Sequence, residues 1–192
     1  MALHLTGDEA ADTLLSTNPL ALLLGMTLDQ QVPLERAFGA PVLLLERIGG
    51  PLDAGRIAAM DPDELVAAFT QQPALHRYPG SMAARCQQVC QALVDGYAGS
   101  ATALWETAHD GPELLRRMKA LPGFGDMKAK IFIALLGKQC GLAVPGWQDV
   151  STPYSDVGSR RSVADIVDAT SLDEVREFKA AMKAAAKAGK AG

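Results

Sequence analysis

Leu121-Pro122-Gly123-Phe124-Gly125-Asp126-Met127-Lys128-Ala129 has residue types and spacing suited to holding an anion. A helix ending in Arg116-Arg117-Met118-Lys119 meets a Pro-Gly-x-Gly turn, and the apolar run Ile131-Phe132-Ile133-Ala134-Leu135-Leu136 starts a second helix at once. The two glycines admit backbone angles closed to other residues and let a partner come near the main chain. The second helix points unpaired N–H groups and the positive end of its dipole at the same place. Lys128 and Lys130 stand in its first turn, where cations are mildly unfavourable unless something negative lies outside. A phosphate group meets these requirements.

The elements around the turn read as helices. Thr6-x-x-Glu9 forms a capping box before Ala10–Leu15, and Asn18-Pro19 supplies an N-cap and a first-position proline for the apolar helix Leu20–Leu28. Leu34–Ile48 continues as helix until Gly49-Gly50-Pro51. Asp53 and Asp61 open two short helices, and Ser81 caps a longer one through Tyr97, with Met82, Cys86, Val89, Cys90 and Leu93 along one stripe. Ser100 and Pro112 start the next two, the second of which is the first arm of the hairpin. Its other arm runs from Asp126 to Gln139, and residues 141–162 read as loop. Ser171-Leu172-Asp173-Glu174 opens a last helix that frays into the tail. No useful stretch alternates with period two, so an all-α chain of roughly nine or ten short helices is expected.

With 192 residues and 48% hydrophobic content the chain can bury a substantial core, as one domain or as two small lobes. Pro19–Met26 is too short to span a membrane and leads into Asp29. The start of the chain lacks a basic segment and turns acidic at Asp8-Glu9, so no signal peptide is expected. A cytoplasmic protein, without membrane contact and monomeric, is the expectation. Cys86, Cys90 and Cys140 are too few for a disulfide framework and lack zinc or iron–sulfur spacing, which leaves buried free thiols. The net charge of −4 speaks mildly against nucleic acid. Its distribution speaks the other way, since Arg176, Lys179, Lys183, Lys187 and Lys190 face only Glu177 in the tail.

The hairpin resembles the helix-hairpin-helix of DNA-binding and DNA-repair proteins. Together with two further segments it resembles the helix-hairpin-helix-GPD superfamily of base-excision DNA glycosylases, over about residues 15–145. Leu28-Asp29-Gln30-Gln31-Val32-Pro33 is similar to that family's Leu-Ser-Gln-Gln or Leu-Ala-Gln-Gln segment, and Tyr78-Pro79-Gly80-Ser81-Met82-Ala83-Ala84-Arg85 to the loop and start of its long core helix. The resemblance implies that Leu121, Gly123, Gly125, Lys128 and Lys130 contact a DNA phosphate, and that Gln30 and Gln31 enter the duplex beside an extruded nucleotide. Extrusion costs a few kcal/mol, and an amide with both donor and acceptor can offset part of it at the orphaned base.

Two departures qualify what the resemblance implies. The lysine by which bifunctional members attack the sugar lies two residues after the second hairpin glycine, where this chain has Met127. Lys128, one position on, is turned by about 100° on the helix. That favours a monofunctional hydrolase that binds double-stranded DNA and associates with the nucleoid when bound. The place of the family's catalytic aspartate falls on Pro145, leaving Asp149 or Asp156 as the carboxylate that activates water or stabilises the oxocarbenium-like transition state. His76, Tyr78, Trp147 and Tyr154 are the candidate wall of a base pocket.

No metal or cofactor is expected. The iron–sulfur motif of the family is absent, and His4, His76 and His109 lack paired ligand spacing. The expected division is a glycosylase-like unit over 1–175, as one body or two helical lobes with a cleft, and a basic Ala/Lys-rich end over 176–192. A DNA-binding module of the same fold without catalysis is the alternative, and a helical protein–protein adaptor is a third reading.

Overall fold

Pro19–Leu28 (α2) is the most apolar helix, and every residue from Leu20 to Leu28 is buried, so the rest of the chain wraps around it. The computed structural model describes residues 2–188, all of whose regular elements are helical. In chain order these are α1 (Glu9–Thr17), α2, α3 (Leu34–Ile48), α4 (Ala54–Ala59), α5 (Pro62–Thr70), α6 (Pro79–Tyr97), α7 (Ala101–Glu106), α8 (Gly111–Lys119), α9 (Asp126–Gln139), α10 (Trp147–Ser151), a single 3-10 turn (Val163–Asp165) and α11 (Ala169–Ala188). The all-α expectation holds at this level. No helix among the described residues is long and apolar enough to cross a membrane.

α2 packs on α1, α3, α6 and α7. Gly25 lets α3 come close, because a methyl group there would meet the Phe38 ring at 2.7 Å. The stripe Met82, Cys86, Val89, Cys90 and Leu93 is buried on α6, against α4 and α5. α9 buries Ala129 and Phe132–Leu136, and carries α8, α10 and the 3-10 turn on its flanks. The buried apolar residues form one continuous cluster.

Several helix starts differ from the expectation. Asp8 rather than Thr6 caps α1, because the Thr6 hydroxyl is spent on Asp12 at 2.8 Å. α6 begins at Pro79, which leaves Ser81 inside the first turn. Asp110 caps α8 one residue before Gly111-Pro112. Residues 147–151, read as loop, form α10. α11 starts at Ala169, and the capping box lies earlier, between Ser162 and Asp165. It continues through the boundary expected at 175, so residues 176–188 extend a helix; Lys190 lies outside the described residues. Cys140 is exposed, unlike Cys86 and Cys90.

Candidate nucleic-acid interface

The turn between α8 and α9 is built by its two buried ends. Leu121 and Phe124 are 4% exposed, and Phe124 packs edge-on against Phe132 at 6.1 Å. Phe124 N–H donates to the Leu121 carbonyl at 3.1 Å, which closes the turn over Gly123 at φ +82°. Leu121 therefore anchors the turn from inside and is not available to a partner. Gly125 is the N-cap of α9 and offers no side chain, so the N–H groups of Asp126, Met127 and Lys128 have no acceptor among the described residues. Gly125 itself has an ordinary φ of −78°, and a methyl group on it would touch nothing in the chain. The fold does not need glycine there. A partner approaching the helix end would.

The charges around this opening differ from the simple reading of two outward lysines. Asp126, at the first helical position, takes Lys119 at 2.9 Å and Lys130 at 2.8 Å. The hydrogen bond from Lys130, then that from Lys119, holds the Asp126 carboxyl below its usual range. Lys128 turns inward: its ammonium donates to the Thr27 carbonyl at 3.0 Å and lies 5.6 Å from the centre of the Phe124 ring. Burial pushes its pKa down to about 8, opposed by Asp29. Met127, at the place of the family's nucleophilic lysine, is 64% exposed. Arg85 of α6 packs over the turn, where a methyl group on Gly123 would come within 2.6 Å of its Cδ. The half-buried Arg85 guanidinium has no hydrogen-bond or ion-pair partner among the described residues.

The Gln-Gln segment reaches the same corner. α2 ends at Asp29, and Lys128 ties that end to α9. Gln30 is held inward: its carbonyl accepts from His76 Nε2 at 2.9 Å and its amide nitrogen reaches Met82 Sδ at 3.1 Å. Gln31 is exposed and sits at φ +57°, an uncommon backbone setting for a non-glycine residue. Of the two amides, Gln31 is the one presented outward, with its Oε1 3.5 Å from the Tyr78 hydroxyl.

His76 is 1% exposed, and its loop is pinned by Arg36 on the Ala74 carbonyl and Arg47 on the Pro73 carbonyl. His76 Nδ1 accepts from the Tyr78 N–H at 3.0 Å, which leaves the ring hydrogen on Nε2 facing Gln30. Burial keeps this imidazole neutral by lowering its pKa. It is a strut of the Gln30 turn rather than a surface for a base. Tyr78 is 45% exposed beside Gln31.

Trp147 and Tyr154 do not join them. Trp147 lies on α9 at Gly137, where a methyl group would meet its ring at 2.4 Å, and the Gly111 N–H bonds the Pro145 carbonyl at 2.8 Å. Gly137 is roughly 16 Å along α9 from Asp126, at 1.5 Å per residue. Docking of Trp147 on that bare backbone pins the loop to the far end of the helix. Asp149 is exposed on α10 beside Gly146, and Asp156 is exposed where its carbonyl accepts from Lys138 at 3.0 Å. Neither carboxylate comes to the open end of α9 or to Gln30-Gln31, and the expected four-residue pocket wall is split between two places.

Sequence reasoning passed over two residues that this corner contains. Arg85 closes the weakest of the three family-like segments, and Asp29 stands within the Leu28-Asp29-Gln30-Gln31 segment itself. Burial lifts the Asp29 carboxyl above its ordinary range, against the pull of Lys179 and Lys128 and with a smaller lift from Glu35. Among the described residues no set of three His, Cys, Asp or Glu side chains is placed to hold a metal ion. No family model, curated protein or solved structure matches the chain.

Proposed function

We propose that this chain binds duplex DNA through α8, the glycine turn and α9, and hydrolyses the N-glycosidic bond of a damaged or mismatched base as a monofunctional DNA glycosylase of base-excision repair. One observation carries the reading: the uncapped N–H groups of α9, the unpaired Arg85 and the outward Gln31 share a corner with Asp29. Helix N–H groups with a guanidinium suit a backbone phosphate. An exposed amide held on a strained backbone suits the gap left by an extruded base. Met127 at the nucleophile's place and Lys128 turned to Thr27 favour hydrolysis over a lysine-linked sugar cleavage.

A non-catalytic sensor of distorted duplexes is the second reading, favoured by the placement of Asp149 and Asp156 away from this corner. A panel of end-labelled duplexes carrying uracil, deaminated, alkylated or oxidised bases separates the two. At enzyme excess, hydrolysis of one lesion leaves an alkali-labile abasic site with no strand break before alkali. Survival of every lesion together with duplex binding supports the sensor.

A further inference from the structure

Among the described residues, Asp29 is the carboxylate placed where α2 ends against α6 and α9. The backbone leaves the helix at this residue (φ −72°, ψ 73°), and the next residue is fixed by His76 and Met82. Asp29 is half-buried, yet its carboxylate accepts no hydrogen bond from the described residues. Burying a carboxylate without donors is costly, and folded chains seldom leave one so. The charged groups facing it come from three elements: Lys128 of α9, Lys179 of α11 and Glu35 of α3. The Lys128 ammonium is fixed two residues upstream on the Thr27 carbonyl, and its backbone N–H is one of those open at the head of α9. A phosphate held there and the Asp29 carboxylate are thus separated by one lysine side chain.

We infer that Asp29 is the catalytic carboxylate of the proposed hydrolysis, facing the anomeric carbon of the extruded nucleotide, with Lys128 as its positioning residue. The inference rests on the glycosylase reading. As the bond from C1′ to the base nitrogen breaks, its electron pair leaves with the base and positive charge develops on C1′ and the ring oxygen. The Asp29 carboxylate opposes that charge. Water forms the new bond to C1′, its proton passes to Asp29, and from there the proton goes to the departing base. The products are the free base and a deoxyribose hydroxylated at C1′, with nothing oxidised or reduced. Lys128 favours the ionised form of Asp29 against burial, so the two titrate as a coupled pair.

The test compares two modified duplexes of one sequence. One carries a pyrrolidine nucleotide, whose protonated ring nitrogen stands where charge develops, and the other a neutral tetrahydrofuran. The wild-type chain is expected to bind the cationic duplex at least about tenfold more tightly, as a transition-state mimic should be. Asp29→Asn brings the ratio to about one, while Asp149→Asn keeps it. Lys128→Gln moves the appearance of the preference to higher pH, and Lys128→Arg restores it. Thermal melting by circular dichroism checks that each variant is folded. Retention of the ratio in a folded Asp29→Asn variant overturns the assignment, as does equal wild-type binding of both duplexes, and either leaves DNA binding intact. Absence of wild-type binding to any duplex at low salt overturns the DNA reading beneath it.

Discussion

The Lys128 ammonium donates to the Thr27 carbonyl across 3.0 Å, joining the first turn of α9 to the last turn of α2. A carbonyl at a helix C-terminus is a favourable place for a cation. The bond brings the glycine turn and the Asp29-Gln30-Gln31 segment, far apart in the chain, into one corner. It also removes Lys128 from the set of charges turned toward solvent.

The two hairpin glycines should respond differently to alanine. Gly123→Ala places a side chain at φ +82° and 2.6 Å from Arg85 Cδ, which should cost roughly 1–3 kcal/mol in a denaturant melt. Gly125→Ala has an ordinary φ and open space, so its stability should stay within about 0.5 kcal/mol of the parent. It should nevertheless weaken duplex binding about tenfold or more, since the methyl group stands before the N–H groups that hold the phosphate.

Arg85→Ala should weaken duplex binding for every sequence and reduce the salt slope by about 1, the mark of one lost phosphate contact. Asp126→Asn should act in the opposite direction. It removes a negative charge from the mouth of the site and releases Lys119 and Lys130. Fluorescence anisotropy over a salt series would measure both.

Asp29→Asn should raise the melting temperature at neutral pH. The Asp29 pKa is raised in the folded chain, so the folded state holds that proton more tightly than the unfolded state. Stability from this group is full below the unfolded carboxylate range and is lost as pH rises through the folded pKa. The gain from asparagine should therefore grow from acid toward neutral pH in a series of melts. A stability gain on removing a charge is what an acid kept for a task would show.

Much of the fold was legible because helix signals are local. The caps at Asn18, Asp53, Asp61 and Ser100 and the stripe of α6 are decided within a few residues, and the structure has them. The starts that moved, at Asp8 and Asp110, moved by one or two residues because a neighbouring acid reached the same N–H groups. The candidate site was less legible. That Gln31 turns out while Gln30 turns in depends on His76 and Met82, distant in sequence. The direction of Lys128 depends on Thr27, and the position of Asp149 on a ring docking at Gly137. These are tertiary contacts without a local signature.

The far end of α9 should be structurally sensitive and functionally silent. Gly137→Ala forces a methyl group against the Trp147 ring and should cost roughly 1–3 kcal/mol by overpacking. Asp149→Asn and Asp156→Asn, both exposed, should change stability by no more than about 0.5 kcal/mol. They should leave duplex binding and any lesion excision at the parent level, in the same lesion-panel assay.

Equilibrium binding of the wild-type chain to a labelled duplex across a salt series tests the grip of the glycine turn on DNA most directly. The expected result is tight binding at low salt, with log K falling linearly as log salt rises at a slope near −0.9 for each phosphate engaged. Absence of binding at the lowest salt, or binding indifferent to salt, would contradict the account.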